Sequence, residues 1–398
     1  MAQGAALIVK KEKIAANGEY NLSGERYRTG NSIHSEWPSV KVGDVFKKAN
    51  ETVLPSSLHG SVSYVGLENI TAVSGQLSGN VTVDNPAEIK SLKNVFHPGD
   101  ILYGKLRPNL NKVWLSDRRG ICSTDIFVVR PLDERVLPAL YVYIFRSRHF
   151  NDTVLSQLKG AQLPRIGWQS FANLEIPLPP LEVQREIVAE IESHQRVVDG
   201  ARTVIDNYQP QIVVDPEWPR VKIEELCETG RGRVISRRNL NNNPGPYPVY
   251  SSQTSDDGIF GCLGTYDFDG EYVTWTTDGA NAGTVFHRMG KFNCTNVCGT
   301  LKCRADAMNR IDMRFLAQVL GQVAKSYVIR VGNPKLMNKE VAKIPISVPP
   351  IEIQQVIVAE LEAEQALVAA NRELVGRMER KIRAAIGRVW GEDEVKDG

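Results

Sequence analysis

Two stretches of the chain place seam residues at alternating spacings of four and three. The first runs through Ile187, Ile191, His194, Val198, Ala201, Ile205 and Tyr208. The second runs through Ile357, Leu361, Glu364, Val368, Asn371, Val375, Met378, Ile382, Ala385 and Val389. This rhythm is the a/d seam of a coiled coil. A double proline opens each stretch, at 179–180 and at 349–350. Proline suits a first helical turn, where its missing N–H removes nothing, and Glu182 and Glu352 lie near the positive end of the dipole. Helices are therefore predicted from near residues 180 and 350, on the order of 40 Å and 60 Å long. Rods of that length need a partner. The economical arrangement is an antiparallel coiled coil of the two, with pseudo-twofold symmetry between the halves of the chain. His194, Glu364 and Asn371 interrupt the apolar seam, and they read as register-setting or solvent-facing residues rather than catalytic ones.

The two openings are copies. "LPPLEVQREIVAEIE" at 178–192 returns as "VPPIEIQQVIVAELE" at 348–362, with Ile176, Pro179, Pro180, Glu182, Gln184, Ile187, Val188, Ala189, Glu190 and Glu192 repeated 170 positions later. At the same offset Pro164, Arg165 and Ile166 meet Pro334, Lys335 and Leu336. Further upstream, "SEWPSVKVGDVF" answers "PEWPRVKIEELC". A period this long means tandem domains, because solenoid repeats recur at about 20 to 50 residues.

Between the copied segments the pattern changes to short strands punctuated by Gly, Pro and Asn, then a helix. In the first half these are "SVSYVGLENI", "GDILYGKLRPNLNKVWL" and "GICSTDIFVVRP", then the helical "LPALYVYIFRSRHFNDTVLSQL". In the second they are "PYPVYSSQ", "GEYVTWTTDGANAGTVFHRMG" and "FNCTNVCGTLKC", then "RIDMRFLAQVLGQVAKSYV". The order is similar and the content is not. The reading is a mixed α/β (α+β) protein: a leader over 1–35, a domain over 36–175, a helix over 176–215, a second domain over 216–345, and a distal helix and tail over 346–398.

Composition changes this picture little. A chain of 398 residues, 42% apolar, can form two cored domains. A net charge of +2 neither requires nor excludes a polyanionic partner, since a local patch suffices. The apolar run near the start is too short for a signal-peptide core, and nothing approaches the roughly 20 apolar residues of a membrane span, so a cytoplasmic protein is expected. Six cysteines are too few for a disulfide scaffold at this length. "NCTNVCGTLKC" has no CxxC pair and reads as strand rather than a zinc site.

The chain carries little that points to catalytic chemistry. Gly104-Lys105 and Gly290-Lys291 are followed by Leu106 and Phe292, not by Ser or Thr, so no phosphate loop is present. "GIFGCLG" has the wrong glycine spacing for a dinucleotide loop. Asp84 with "EIK" at 88–90 is too tightly spaced for a metal-dependent nuclease centre. No catalytic, cofactor-binding or metal residues are expected.

Basic and amide side chains do cluster. Lys105, Arg107, Asn109, Asn111, Lys112, Arg118 and Arg119 crowd together in the first half, and Arg231, Arg233, Arg237 and Arg238 lie beside a run of asparagines in the second. These side chains reach phosphates and read guanine or adenine edges in the major groove, against the plainer reading of a solvated charged surface.

From about Trp37 to about Trp390 the chain resembles the specificity subunit of a type I restriction-modification enzyme. "GAQLPRIGWQSFANLEIPLPPLEVQREIVAEIE" and its echo carry the resemblance, and "FHPGDILYGKLRPNLNKVWL" and "YPVYSSQTSDDGIFG" are similar to two versions of that family's target recognition domain. The resemblance implies two recognition domains, each reading half of a split sequence in double-stranded DNA, with the paired helices as spacer. It implies docking of two modification subunits, which carry S-adenosylmethionine, and of restriction subunits where restriction occurs. By the same analogy Gln162, Arg165, Gln169, Asn333 and Lys335 join the basic clusters as DNA-binding residues. Two other readings stay open: a self-contained restriction or methylation enzyme, and a coiled-coil scaffold with no role on DNA.

Overall fold

The computed structural model describes residues 36–158 and 164–392. The leader over 1–35 and Gln162 lie outside the described residues. The chain divides into two compact units: residues up to Thr203 together with those from Arg372 onward, and Val204–Asn371. The last helix therefore contributes its first part to the second unit and its final part to the first.

In the first unit β1 (Ser39–Lys41) pairs antiparallel with β11 (Glu175–Pro177), and a one-turn helix, α1 (Val42–Val45), leads into β2 (Phe46–Lys48). A four-stranded sheet has the order β2-β10-β7-β8, with β7 at Ile101–Gly104, β8 at Val113–Leu115 and β10 at Ile126–Pro131. A five-stranded sheet has the order β3-β6-β9-β4-β5, comprising Thr52–Val53, Lys93–Phe96, Gly120–Cys122, Val62–Val65 and Thr82–Val83. The single helix expected over 137–158 is two, α2 (Pro138–Arg146) and α3 (Arg148–Ser156). Ser147 divides them: its backbone is extended, and its hydroxyl donates to Ile144 O while accepting from Phe150 N. A short α4 (Trp168–Ala172) follows. Phe46, Tyr103, Phe145, Phe150 and Phe171 interlock in the core with ring centres 4.6 to 6.4 Å apart.

The long helix α5 (Leu181–Asn207) starts one residue after its proline pair. Its seam residues Ile187, Ile191, Val198 and Ala201 are buried. Within the first unit it packs with the end of the last helix: Ala385, Val389 and Trp390 share a core with Ile187 and Ile191, Arg388 pairs with Glu190, and Arg202 pairs with Glu379 at 2.7 Å. Partner numbers fall as α5 numbers rise, so these segments run antiparallel.

The second unit repeats the frame. β12 (Arg220–Lys222) leads into α6 (Ile223–Leu226) and β13 (Cys227–Arg231). Then come α7 (Arg237–Asn242), β14 (Tyr247–Tyr250), β15 (Ile259–Leu263), β16 (Phe268–Thr276), β17 (Val285–Cys294), β18 (Cys298–Cys303), α8 (Met313–Val323), α9 (Asn338–Ala342) and β19 (Pro345–Ser347), which returns to pair with β12. The last helix, α10, is Ile351–Trp390. One six-stranded sheet has the order β13-β18-β16-β17-β14-β15. The cysteine-rich stretch is strand, as expected: Cys294 ends β17, and Cys298 and Cys303 bound β18. "GIFGCLG" is mostly β15.

The three polar seam residues are all engaged, Glu364 with a residue distant in sequence and the other two within their own helices. Tyr208 donates to the exposed Glu364 at 3.1 Å, Asn371 donates to Leu367 O at 2.9 Å, and His194 lies 3.9 Å from Glu190 one turn earlier. Among the described residues no helix is long and apolar enough to cross a membrane.

Candidate nucleic-acid interface

The copied segments build the same bonds twice. Val42 N donates to Leu174 O and Ile223 N to Ile344 O; Leu178 N donates to Pro38 O and Val348 N to Pro219 O. The repeated glutamine is central to this. Gln184 is fully buried, accepts from Leu137 N at 2.7 Å, and donates to Arg135 O and Pro179 O at 2.8 Å. Gln354 is fully buried too, accepting from Asp312 N at 2.9 Å and donating to Arg310 O at 2.8 Å and Pro349 O at 2.7 Å. Each amide ties the first turn of a long helix to the segment entering the domain's own helix.

The Pro-basic-aliphatic triplets are also placed alike. In the first unit Arg107 N donates to Pro164 O, Ile166 N donates to Lys105 O, and Leu106 bridges Arg165. In the second Gly279 N donates to Pro334 O, Leu336 N donates to Thr277 O, and Asp278 bridges Lys335. Arg165 and Lys335 thus occupy equivalent exposed positions beside a sheet-end loop.

In the first unit that loop is a tight knuckle. Arg107 and Asn111, both at φ 49°, flank a single 3₁₀ turn at Pro108–Leu110. Left-handed backbone is costly for Arg and tolerated by Asn. The turn leaves Arg107 and Asn109 exposed, while Lys105 rests 5.5 Å over the Phe127 ring. Arg165 is 3.3 Å from Asp125, and Gln169 is exposed on α4. These residues come together through the paired loops.

The rest of the first cluster does not join them. Asn111 is buried, and its amide is spent on Arg146 O. The half-buried Lys112 donates to Leu67 O at 2.6 Å. Arg118 and Arg119 follow β8 beyond Leu115, which pairs with Ile101 at the start of β7, whereas Lys105 follows the end of β7. They therefore lie at the opposite end of that hairpin, although close in sequence. Arg118 also holds Asp117, whose carboxyl the hydrogen bond keeps below the usual range.

In the second unit Arg231 donates to Asn296 O at 2.6 Å and lies 3.5 Å from Asp278. Arg233 donates to Asp267 at 2.7 Å. Asp278 bridges Lys335, so Arg231, Asp278 and Lys335 meet, with Asn333 exposed alongside in the same turn. Arg237 and Arg238 are exposed at the start of α7, whose Ser236 cap accepts from Asn239 N at 3.2 Å. Sequence reading missed the organising roles of Asp278 and Asn296. Nothing in spacing marks an Asp that crosses from one strand end to another.

A family profile described as the type I restriction modification DNA specificity domain matches residues 34–201 and 216–374. A Mycoplasma pneumoniae chain assigned as a type I specificity subunit is 36% identical over 201 residues, covering 47% of this chain and 79% of that one. The specificity subunit of the type I restriction enzyme MpnII from the same organism is 44% identical over 137 residues, covering 34% and 40%. A chain solved in work on complex assembly and conformational transition of a type I R-M system aligns with a TM-score of 0.57 at 21% identity, covering 89% of this chain and 98% of that one. The S subunit of a type I restriction-modification system from M. genitalium aligns with a TM-score of 0.55 at 14% identity, covering 91% and 98%. At these identities the two structures speak to the fold.

Proposed function

This chain belongs to the type I restriction modification DNA specificity family, and from that premise we propose that its two units each read one half of a split target in double-stranded DNA. It is a DNA sequence-recognition subunit of a type I restriction-modification system and not the enzyme of that system. DNA and partner subunits follow from that membership.

One observation carries the half-site assignment. The same frame, closed by Gln184 in one unit and Gln354 in the other, sets Arg165 and Lys335 at equivalent exposed positions beside loops of unrelated sequence. A repeated frame with different loops suits two different half-sites. Phosphate contacts from the frame give position, and the variable loops give base choice. In the first unit the proposed contacts are Lys105, Arg107, Asn109, Arg165 and Gln169. In the second they are Arg231, Arg233, Arg237, Arg238, Asn333 and Lys335. Arg118 and Arg119, at the other end of the β7–β8 hairpin, and Asn111 and Lys112, whose side chains bond within the unit, are not among them.

The partners are two modification subunits that carry S-adenosylmethionine, with restriction subunits added for cleavage; this chain brings no cofactor and works in the cytoplasm. The long helices support the docking. Outside their seams they expose Val197, Val204, Ile353, Val356 and Leu367, apolar side chains of the kind a partner subunit covers.

The test is a methylation map of the source genome with the gene intact and deleted. Loss of methyladenine at one two-part motif with a fixed spacer is expected, and an unchanged map in cells where the complex is expressed and methylates DNA overturns the reading. Replacing Arg231 and Arg233 by Ala should relax or abolish recognition of one half only. The loss should exceed that of simple charge removal, because Asp278 and Asp267 are then left uncompensated near phosphates. Methyl transfer by the isolated chain would instead favour a self-contained enzyme.

A further inference from the structure

The loop from Ser251 to Gly258, between β14 and β15, has an uncommon shape. Asp256, Asp257 and Gly258 have φ of 50°, 49° and 79° in succession. Two aspartates in consecutive left-handed positions persist only where the surroundings over-determine them, and such strain concentrates where a shape is used.

Arg288 supplies much of that determination. Its guanidinium is buried, 3.7 Å from the Tyr250 ring centre and 4.4 Å from that of Phe286. It donates to the Asp257 carboxylate, and at 2.7 Å to the Asp257 carbonyl. A cation between two rings, spent on one loop residue, is not presented to a phosphate; it acts inward, on the loop. The neck is closed as well: Ser251 N donates to Gly258 O at 3.1 Å, Asn281 donates to Ser252 O at 3.2 Å, and the Thr295 hydroxyl meets that of Ser251 at 3.1 Å. Thr295 also bridges Arg233, and the next residue, Asn296, accepts from Arg231. The loop therefore springs from the segment that seats the basic pair, and its crest, Thr254 to Asp257, is exposed.

We propose that Ser251–Gly258 is a base-reading loop of the second unit and that Arg288 is the positioning residue that preorganises it. The proposal rests on the half-site reading above. Asp257 is neutralised by Arg288, which leaves Asp256 as the carboxylate at the crest. A carboxylate accepts from the exocyclic amino group of cytosine or adenine and is repelled by the acceptor edge of guanine and by phosphates. One position of this unit's half-site is therefore restricted to cytosine or adenine, the bases whose amino groups face the major groove. Preorganisation matters because each rotamer or loop conformer frozen on binding subtracts from discrimination.

The experiment maps methylation in cells carrying the assembled complex with wild-type chain, Arg288→Met, Arg288→Lys, Asp256→Ala or Thr254→Ala. Asp256→Ala should broaden a position in the half that Arg231→Ala alters, with about tenfold or greater loss of discrimination there, while the other half is retained. Arg288→Met should broaden the same half, and Arg288→Lys should do so less. A uniform fall in methylation after Arg288→Met, with no change in the bases accepted, would mark Arg288 as merely structural and overturn its role. If Arg288→Met fails to fold, the two exposed-crest variants still decide: a wild-type motif in both rejects the loop. Absence of any two-part motif with the wild-type chain overturns the underlying half-site reading instead.

Discussion

At the residue scale, the repeated glutamine shows how one side chain couples a helix to a domain. Gln184 and Gln354 each satisfy three backbone groups from a fully buried position. Truncation leaves those groups without partners where they are buried or part-buried, and each costs about 1 to 3 kcal/mol when water cannot replace the bond. Gln184→Ala or Gln354→Ala should therefore lower stability by about 3 kcal/mol, read as a shifted urea midpoint, whereas Gln195→Ala, which removes only an exposed bond to Asp199, should change it little. Asp312 behaves differently because it is charged. It caps α8 by accepting from Arg314 N and Phe315 N and pairs with the Arg314 side chain. Partial burial pushes its carboxyl up, but the bonds from Arg314 outweigh this and hold it below the usual value. A depressed folded-state value means stability that is full above the ordinary carboxylate range and lost as pH falls through the folded-state value. Asp312→Ala should cost about 1 kcal/mol at neutral pH, and the gap to wild type should close as the pH is taken well below 4 in a melting series.

At the element scale, the end of α10 is where apolar burial outweighs surface charge. Trp390 is buried, stacks on His149 with ring centres 4.2 Å apart, and donates to Ser147 at 3.1 Å. Ser147 is the residue that breaks α2 from α3, so one indole anchors the helix end to a helix junction of the first unit. Trp390→Ala should cost about 3 to 5 kcal/mol. The Arg202–Glu379 pair lies about three turns earlier on the same helix, on the partly exposed surface, and its loss should cost under about 1 kcal/mol, falling further in salt. Melting of both variants with and without added salt checks the contrast; equal losses would mean that the ion pairs, not the indole, hold the helix end.

At the scale of the whole molecule, a net charge of +2 is a sum over two units, each with its own proposed phosphate contacts. Each phosphate contact adds about −0.9 to the slope of log affinity against log salt on duplex DNA. Arg165→Ala and Lys335→Ala, at equivalent places in the two units, should each flatten that slope by about one while leaving base preference unchanged. Binding titrations at several salt concentrations on cognate and scrambled duplexes measure both. A change of preferred sequence from either variant would make these residues base readers rather than phosphate contacts.

Much of this architecture was legible because it is local and repeated. Heptad spacing specifies which side chains share a helix face, proline pairs specify where a helix can start, and the same segment written twice specifies two frames. The helix starts at Leu181 and Ile351, the buried seam and the strand character of the cysteine-rich stretch follow from rules that act over a few residues. The break at Ser147 was not legible, because a hydroxyl bonding to both flanking turns competes with an otherwise continuous helical pattern. Nor was the sorting of the basic clusters. A hairpin carries Arg118 and Lys105 to opposite ends of its strands, and Asp278 gathers Arg231 and Lys335 from segments about a hundred residues apart in sequence. Backbone and side-chain periodicity act between neighbours along the chain and are written in it. Which charge meets which, and which loop is held rigid by a buried arginine, depends on non-local packing, and only the tertiary structure decides it.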